Sequence, residues 1–396
     1  MINQDLDIVV FSKNNNIEKL QITQRKYRHI FLYEFSTSDK ILLKDKIQQI
    51  APDILHIHAD KALFSEICKD LSIPCVITAH HGGITCPAGA LLNYKDEICK
   101  TRVCQKACLP CVLKNTKGGY ALYPVLKMIP ESSRLSISRL FEKLPFIYYV
   151  SPITHSPLNI EKKMKDWEAI CENVSSMIAP SYAIAGNMML NGLDASKIEI
   201  VPHGIPVSPI ENNIVTPDIP NRPIGFFYTG RIDHVKGIHV LLEAFAKLNP
   251  DKCELHLFGD IWNKYARHLI KKYAGNRNIV FHGKMAPEAI VSKIRGYDIL
   301  IHPTICLEIF GLNIAEALAE GKPVIATRCG GAEMQIKEGE NGILITPNSV
   351  AELFHAMDWA VNHLDDMLNM SKNAPLGVIS IEEHVKRIRK IYENLF

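Results

Sequence analysis

From Pro223 onward the apolar residues follow two alternating periods. Short β-branched or aromatic runs such as "IGFFYTG", "CELHLFGD", "NIVFHG", "ILIHPT" and "PVIAT" take turns with segments whose apolar residues recur every three to four positions. Ile238, Leu241, Leu242 and Phe245 stand at i, i+3, i+4 and i+7, a single stripe of a helix. Strand and helix alternating in this way predict a parallel sheet covered by helices on both faces. The first half repeats the grammar less cleanly, with strand candidates "DIVVF", "HIFLYEF", "ILHIHA", "PCVITAHH", "SMIAP" and "IEIVP" around helices such as 61–71. A second parallel sheet is expected there.

Between the halves, Pro202, Pro206, Pro209, Pro217, Pro220 and Pro223 punctuate a polar run that cannot be a central strand or helix. The boundary falls there and divides the chain into 1–204, 205–375 and a terminal amphipathic helix within 376–396. That helix is free to pack back on the N-terminal domain. Two doubly wound domains facing each other would line a cleft with the C-terminal ends of their strands, where open α/β sheets bind ligands.

Composition narrows the class. The 396 residues are 47% hydrophobic and 22% charged, values of an ordinary globular protein and too apolar for extended disorder. The opening "MINQDLDIVVFS" carries acids where a secretory leader carries Lys or Arg, and no apolar run reaches the roughly 18 residues of a membrane span. A cytoplasmic protein with reduced thiols is expected, which disfavours a disulfide framework for the eleven cysteines.

An insertion near 84–150 is both Cys-rich and basic. Residues 98–165 hold 12 Lys and Arg against 3 Asp and Glu, although the formal charge of the whole chain is only +3. With Tyr120, Tyr123, Phe141, Phe146, Tyr148 and Tyr149 interleaved, this stretch suits the anionic inner face of a cell membrane; a solvated basic surface is the plain alternative. Nucleic acid is not expected, because no recognition motif accompanies the charge. Cys99, Cys104, Cys108 and Cys111 have spacing that a structural zinc site could use, against free thiols in an irregular loop.

The chemistry concentrates in "EIFGLNIAEALAEG" and "YTGRIDHVKG". A helix beginning near Gly311 leaves the N–H groups of Gly311, Leu312 and Asn313 without helical acceptors, a terminus suited to phosphate oxygens. Glu308 before the turn and Glu316 inside the helix would accept hydroxyls. A diphosphate with a sugar at each end meets both demands. Arg231 and Lys236, after a strand end, supply cations for a departing diphosphate.

Arg231, Lys236-Gly237, "FGD" at 258–260, "VFHG" at 280–283, "EIFGLNIAE" and Gly330-Gly331 resemble, in order, the motifs of family 4 retaining glycosyltransferases of GT-B fold (glycosyl transferase group 1). "VITAHH" and "VPHGI" upstream resemble that family too. The resemblance implies two Rossmann-like domains, 1–204 on the acceptor side and 205–375 on the donor side, and no catalytic metal or other cofactor.

It also implies roles. Arg231 and Lys236 would hold the diphosphate of a UDP- or GDP-sugar, Glu308 the transferred sugar, Glu316 the ribose, and Gly230 with the backbone of Phe310, Gly311 and Leu312 the rest of the donor. His80 would lie beside the donor sugar, with Gly82 and Gly83 toward a saccharide or lipid-linked saccharide acceptor in surface polysaccharide assembly. Ile309 stands where Gly is common and would narrow the space beside the sugar. His203 replaces a more usual Asn, and no Gly-rich loop follows "DIVVF". The rival readings are a GT-B epimerase or phosphorylase-like enzyme and a catalytically idle nucleotide-sugar-binding subunit. A dinucleotide oxidoreductase is disfavoured, since no G-x-G-x-x-G follows a strand candidate.

Overall fold

The computed structural model describes residues 9–13, 22–27, 30–35, 39–116, 118–142, 151–206 and 222–396. Phe146, Tyr148 and Tyr149, and Pro209, Pro217 and Pro220, lie outside them. The chain opens with β1 (Val9–Lys13), β2 (Ile22–Tyr27) and β3 (Ile30–Phe35), which form a three-stranded sheet in the order β1-β3-β2. Here the structure departs from the expected all-parallel arrangement. "DIVVF" and "HIFLYEF" do pair in parallel, but "ITQRKY", too polar to register as a strand candidate, adds an antiparallel edge to β3.

A parallel sheet follows, built from β4 (Leu55–Ile57), β5 (Cys75–Thr78), β6 (Ser176–Ala179) and β7 (Ile198–Ile200) in that order. Its helices are α1 (Lys40–Ile50), α2 (Lys61–Leu71), α3 (Gln105–Lys114), α4 (Tyr123–Leu126), α5 (Glu131–Glu142), α6 (Ser151–Thr154), α7 (Ser156–Asn173) and α8 (Tyr182–Leu190). The Cys-rich, basic insertion starts as irregular chain over 85–104, continues through α3, α4 and α5, and separates β5 from β6.

The third sheet contains β8 (Ile224–Thr229), β9 (Cys253–Phe258), β10 (Ile279–Gly283), β11 (Ile299–His302), β12 (Val324–Thr327) and β13 (Gly342–Ile345). Their order is β10-β9-β8-β11-β12-β13 and every pairing is parallel. All six residues of β8 are buried, as expected of a strand covered on both faces. Phe226 and Phe227 are fully enclosed on opposite faces, and each such side chain contributes about 1.5–3 kcal/mol. Covering helices are α9 (Ile238–Phe245), α10 (Lys264–Tyr273), α11 (Pro287–Ile294), α12 (Leu312–Ala319), α13 (Gly331–Gln335), α14 (Val350–Asn362) and α15 (Leu364–Asn373). In this order the sheet reverses direction between β8 and β11, and the crevice at their C-terminal ends is where such sheets take ligands.

The last helix, α16 (Ile381–Glu393), crosses back. Ile391 packs with Val76 and Ile178 of the four-stranded sheet and with Val201 just after β7, and the Tyr392 hydroxyl lies 2.6 Å from His56 Nδ1. Its entry is pinned by Ile205, whose N–H donates to Ile379 O and whose carbonyl accepts from Ile381 N. Gly204 is required at that crossing: a Cβ there would stand 2.5 Å from Ser380 O.

Candidate active site

Two loops meet at the β8/β11 crevice, and the sequence explains why they lie so close. After β8, Asp233 caps a short turn by accepting from Lys236 N at 3.1 Å, and Gly237 leaves it at φ +68°. A Cβ on Gly237 would sit 1.9 Å from Pro303 O, so only glycine lets the β8–α9 loop rest against the loop after β11. Ile305 N donates to Val235 O at 3.0 Å and closes the contact.

The loop after β11 is held from its other side. Glu308 N donates to Cys329 O at 2.7 Å and Gly331 N to Glu308 O at 3.0 Å, while Gln335 Nε2 donates to Phe310 O at 2.5 Å. Gly311, at φ +85°, then opens α12 with no side-chain cap, which leaves the first N–H groups of that helix without a side-chain acceptor at this end of the sheet. Asn313 Nδ2 donates to Thr229 O at 2.9 Å and ties this helix start to the end of β8.

The two loops join Lys236 to Glu308 in a largely buried ion pair. The sequence reading gave the two residues separate tasks; here each is the other's counter-ion. Burial alone would raise the Glu308 carboxyl, but His302 and Lys236 hold it well below the usual carboxylate range. Burial likewise opposes the Lys236 charge, and Glu308 more than offsets this and leaves its pKa raised. Both groups are therefore ionised across the working pH range.

His302 is 2% exposed, and its Nε2 lies 3.5 Å from Glu308 Oε2, beyond a strong hydrogen bond. Arg231 is well exposed, with Nη1 3.0 Å from Asp233 Oδ2. Its carbonyl accepts from the Tyr228 hydroxyl at 2.6 Å, beside Gly230 at φ +143°. Glu316 is half-buried, and burial raises its carboxyl, as befits an acid awaiting hydroxyl donors.

The facing wall is made of histidines. His58 and His80 follow β4 and β5, with His58 Nδ1 2.7 Å from His80 Nε2. The His80 ring stacks on His203 at 5.6 Å, and His203 meets Phe310 edge-on at 5.5 Å, so one line of rings joins the two domains. Burial, with repulsion from His58 and His203, pushes His80 down to about 4, which makes it a neutral polar group rather than a cation. Gly82 and Gly83 form a short turn; a Cβ on Gly82 would strike Leu91 at 2.8 Å, and the Gly83 carbonyl accepts from Lys163.

One sequence expectation changes. Ile309 does not narrow the space beside a sugar, because it is 8% exposed and packs, with Leu307, into the core of the N-terminal domain. All eleven cysteines are free, and Cys108 lies near enough to Cys86, Cys104 and Cys111 for each to raise its thiol after burial has done so; among the described residues no three His, Cys, Asp or Glu side chains are placed to share a metal ion in this structure. His58, Lys61 and Lys163 were missed; the signal available for the first two was their position just after a strand, in "ILHIHADK".

Two parallel α/β domains with strand ends turned to a shared cleft define a GT-B fold. Solved structures agree: sucrose-phosphate synthase of Thermosynechococcus elongatus superposes with a TM-score of 0.67 at 16% identity, covering 98% of this chain and 89% of that one. Anabaena HepE in complex with UDP-glucose gives 0.59 at 17% identity over 92% and 86%. Residues 209–376 match the family model for glycosyl transferases group 1.

Curated relatives include D-inositol 3-phosphate glycosyltransferase of Corynebacterium urealyticum, 31% identical over 186 residues, which are 44% of this chain and 43% of the relative. An uncharacterised glycosyltransferase of Methanocaldococcus jannaschii is 24% identical over 235 residues, 57% and 60% of the two chains. The chain spans about half the length of the curated relatives it matches.

Proposed function

We propose that this protein is a retaining, metal-independent glycosyltransferase that moves a hexose from a UDP- or GDP-sugar to a saccharide acceptor. The observation that carries the reading is the Lys236–Glu308 pair lying beside the uncapped start of α12, at the point where the C-terminal sheet reverses. A diphosphate seated there receives the Lys236 ammonium and the α12 N–H groups, and Arg231, on an exposed side chain, swings from Asp233 to reach it. Fixed positive charge of this kind stabilises the oxyanion that forms as the glycosidic bond breaks. Glu308, ionised and held by Lys236, accepts from the sugar hydroxyls, and Glu316 accepts from the ribose.

In this mechanism the leaving diphosphate takes the proton of the incoming hydroxyl on the same face, so His80 need only position the sugar. Its neutral ring suits that task. The acceptor is assigned as a lipid-linked saccharide of surface polysaccharide assembly, reached at the inner membrane face. Supporting this, Tyr120, Leu122, Val125, Met128, Ile137 and Leu140 are all exposed on and around α4 and α5, beside exposed Lys127 and Arg139. No helix among the described residues is long and apolar enough to cross a membrane. A screen of UDP- and GDP-sugars for turnover, with NMR assignment of the product anomer, tests the reading. We expect one donor to dominate and its anomeric configuration to survive; an inverted product, or hydrolysis and transfer absent with every donor, overturns it.

A further inference from the structure

The wall opposite the donor loop carries two lysines that the mechanism above does not use. Lys61 opens α2 directly after β4, and its Nζ donates to His58 O at 2.5 Å. Lys163, on α7, donates from Nζ to Gly83 O at 2.7 Å. Both ammonium groups are held by backbone carbonyls. Lys197 and Lys322 are also held by carbonyls, whereas Lys236, Lys40 and Lys114 are held by acids, by Glu308, by Glu66 and Asp70, and by Asp96.

The arrangement opposes ordinary electrostatics in three ways. The two cations repel each other across a partly desolvated space, and burial together with Lys163 pushes Lys61 down to about 8. Burial first, and the same two charges second, depress His81, whose ring lies against Gly83 of the glycine turn. Lys61 also occupies the first position of an eleven-residue helix whose N-cap, Asp60, makes no side-chain cap bond. A cation is disfavoured at that end of a helix dipole. The one carboxylate that favours the Lys61 charge is that of Asp60, beside it in the chain.

Each ammonium spends one of its three N–H groups on a carbonyl and keeps the others for a ligand. The location is specific. His58, whose carbonyl holds Lys61, contacts His80; His80 stacks on His203, and His203 abuts Phe310 of the donor loop. We infer that Lys61 and Lys163 form a receptor for a phosphate group carried by the acceptor, separate from the seat of the donor diphosphate. The inference rests on the reading of the C-terminal wall as the nucleotide-sugar site and adds the acceptor's chemical class to it. A soluble phosphoester and a lipid-linked phosphate share this chemistry.

The test titrates inorganic phosphate, at constant ionic strength, into the full-length protein saturated with UDP, and follows binding by equilibrium dialysis. Saturable binding is expected, weakened about tenfold by Lys61→Gln or Lys163→Gln, as for loss of one charge-assisted bond. It should persist in Lys163→Arg and in Lys114→Gln. The same titration of Lys236→Ala without UDP separates the two readings, since that variant lacks the donor's cation yet should still bind phosphate. Sedimentation with phosphatidylcholine vesicles, with and without phosphatidic acid, distinguishes the sources. Capture that needs both phosphatidic acid and Lys61 indicates a lipid phosphate, and phosphate binding without capture indicates a soluble one. Phosphate that UDP displaces, or that binds undiminished in folded Lys61→Gln and Lys163→Gln proteins, overturns the proposal.

Discussion

The two walls of the cleft handle charge in opposite ways. On the C-terminal wall the ionised groups neutralise one another, Lys236 with Glu308 and Arg231 with Asp233, on loops fixed by glycines that admit no Cβ. On the N-terminal wall the polar groups are histidines kept neutral and lysines held only by carbonyls. The first wall is built to exchange an internal ion pair for a ligand's charges with little rearrangement. The second stays electrically unsatisfied until a ligand arrives.

Breaking the C-terminal wall should have the larger effect. Gly237→Ala places a methyl 1.9 Å from Pro303 O at φ +68°, so the two loops must separate. The expected cost is about 3 kcal/mol of stability, read from urea unfolding, together with loss of transfer. A neutral result would mean that the loops are not locked together.

The N-terminal wall should respond to acid instead. Burial first, and neighbouring histidines second, lower His56 to about 3 and His203 to about 4 against an ordinary value of 6.5. Both stay neutral in the fold while the unfolded chain takes up protons, so stability is constant above pH 6.5 and falls as the pH drops through that value toward 4. Glu308 has the depressed carboxylate's behaviour: its contribution is present above its unfolded pKa, near 4.5, and is lost only below that. The interval from 6.5 to 4.5 therefore reports the histidines against an opposite, smaller contribution from Glu316, whose raised carboxyl takes up its proton first in the fold. Unfolding free energies measured across it should slope downward toward acid, and less steeply in His203→Asn; equal slopes would remove His203 from the account.

This contrast also explains what the sequence made legible. The donor wall is assembled from short consecutive segments, Gly230 to Gly237 and Glu308 to Glu316, in which cation, acid and turn glycine stand within a few residues of one another. Strand and helix periodicity located both segments at strand ends. The facing wall draws on His58, Lys61, His80, Lys163 and His203, which no local spacing connects and which meet only because β4, β5 and α7 pack together. Ile309 misled for a related reason: its direction depends on the approach of the other domain, which a one-dimensional pattern does not carry. The β2 edge strand was missed because "ITQRKY" has too little apolar alternation to stand out.

The most direct test of the central claim is calorimetric titration of UDP into the wild-type protein, Lys236→Ala, and Lys236→Ala combined with Glu308→Gln. Removing the lysine alone leaves a buried carboxylate without its ammonium partner, which should cost about 3 kcal/mol of stability, and the double variant should recover most of that. Binding should behave differently: UDP affinity should fall at least a hundredfold, about 3 kcal/mol, in both variants, because the diphosphate has lost its fixed cation. UDP binding of wild-type strength in the stable double variant would contradict the assignment of this crevice to the donor.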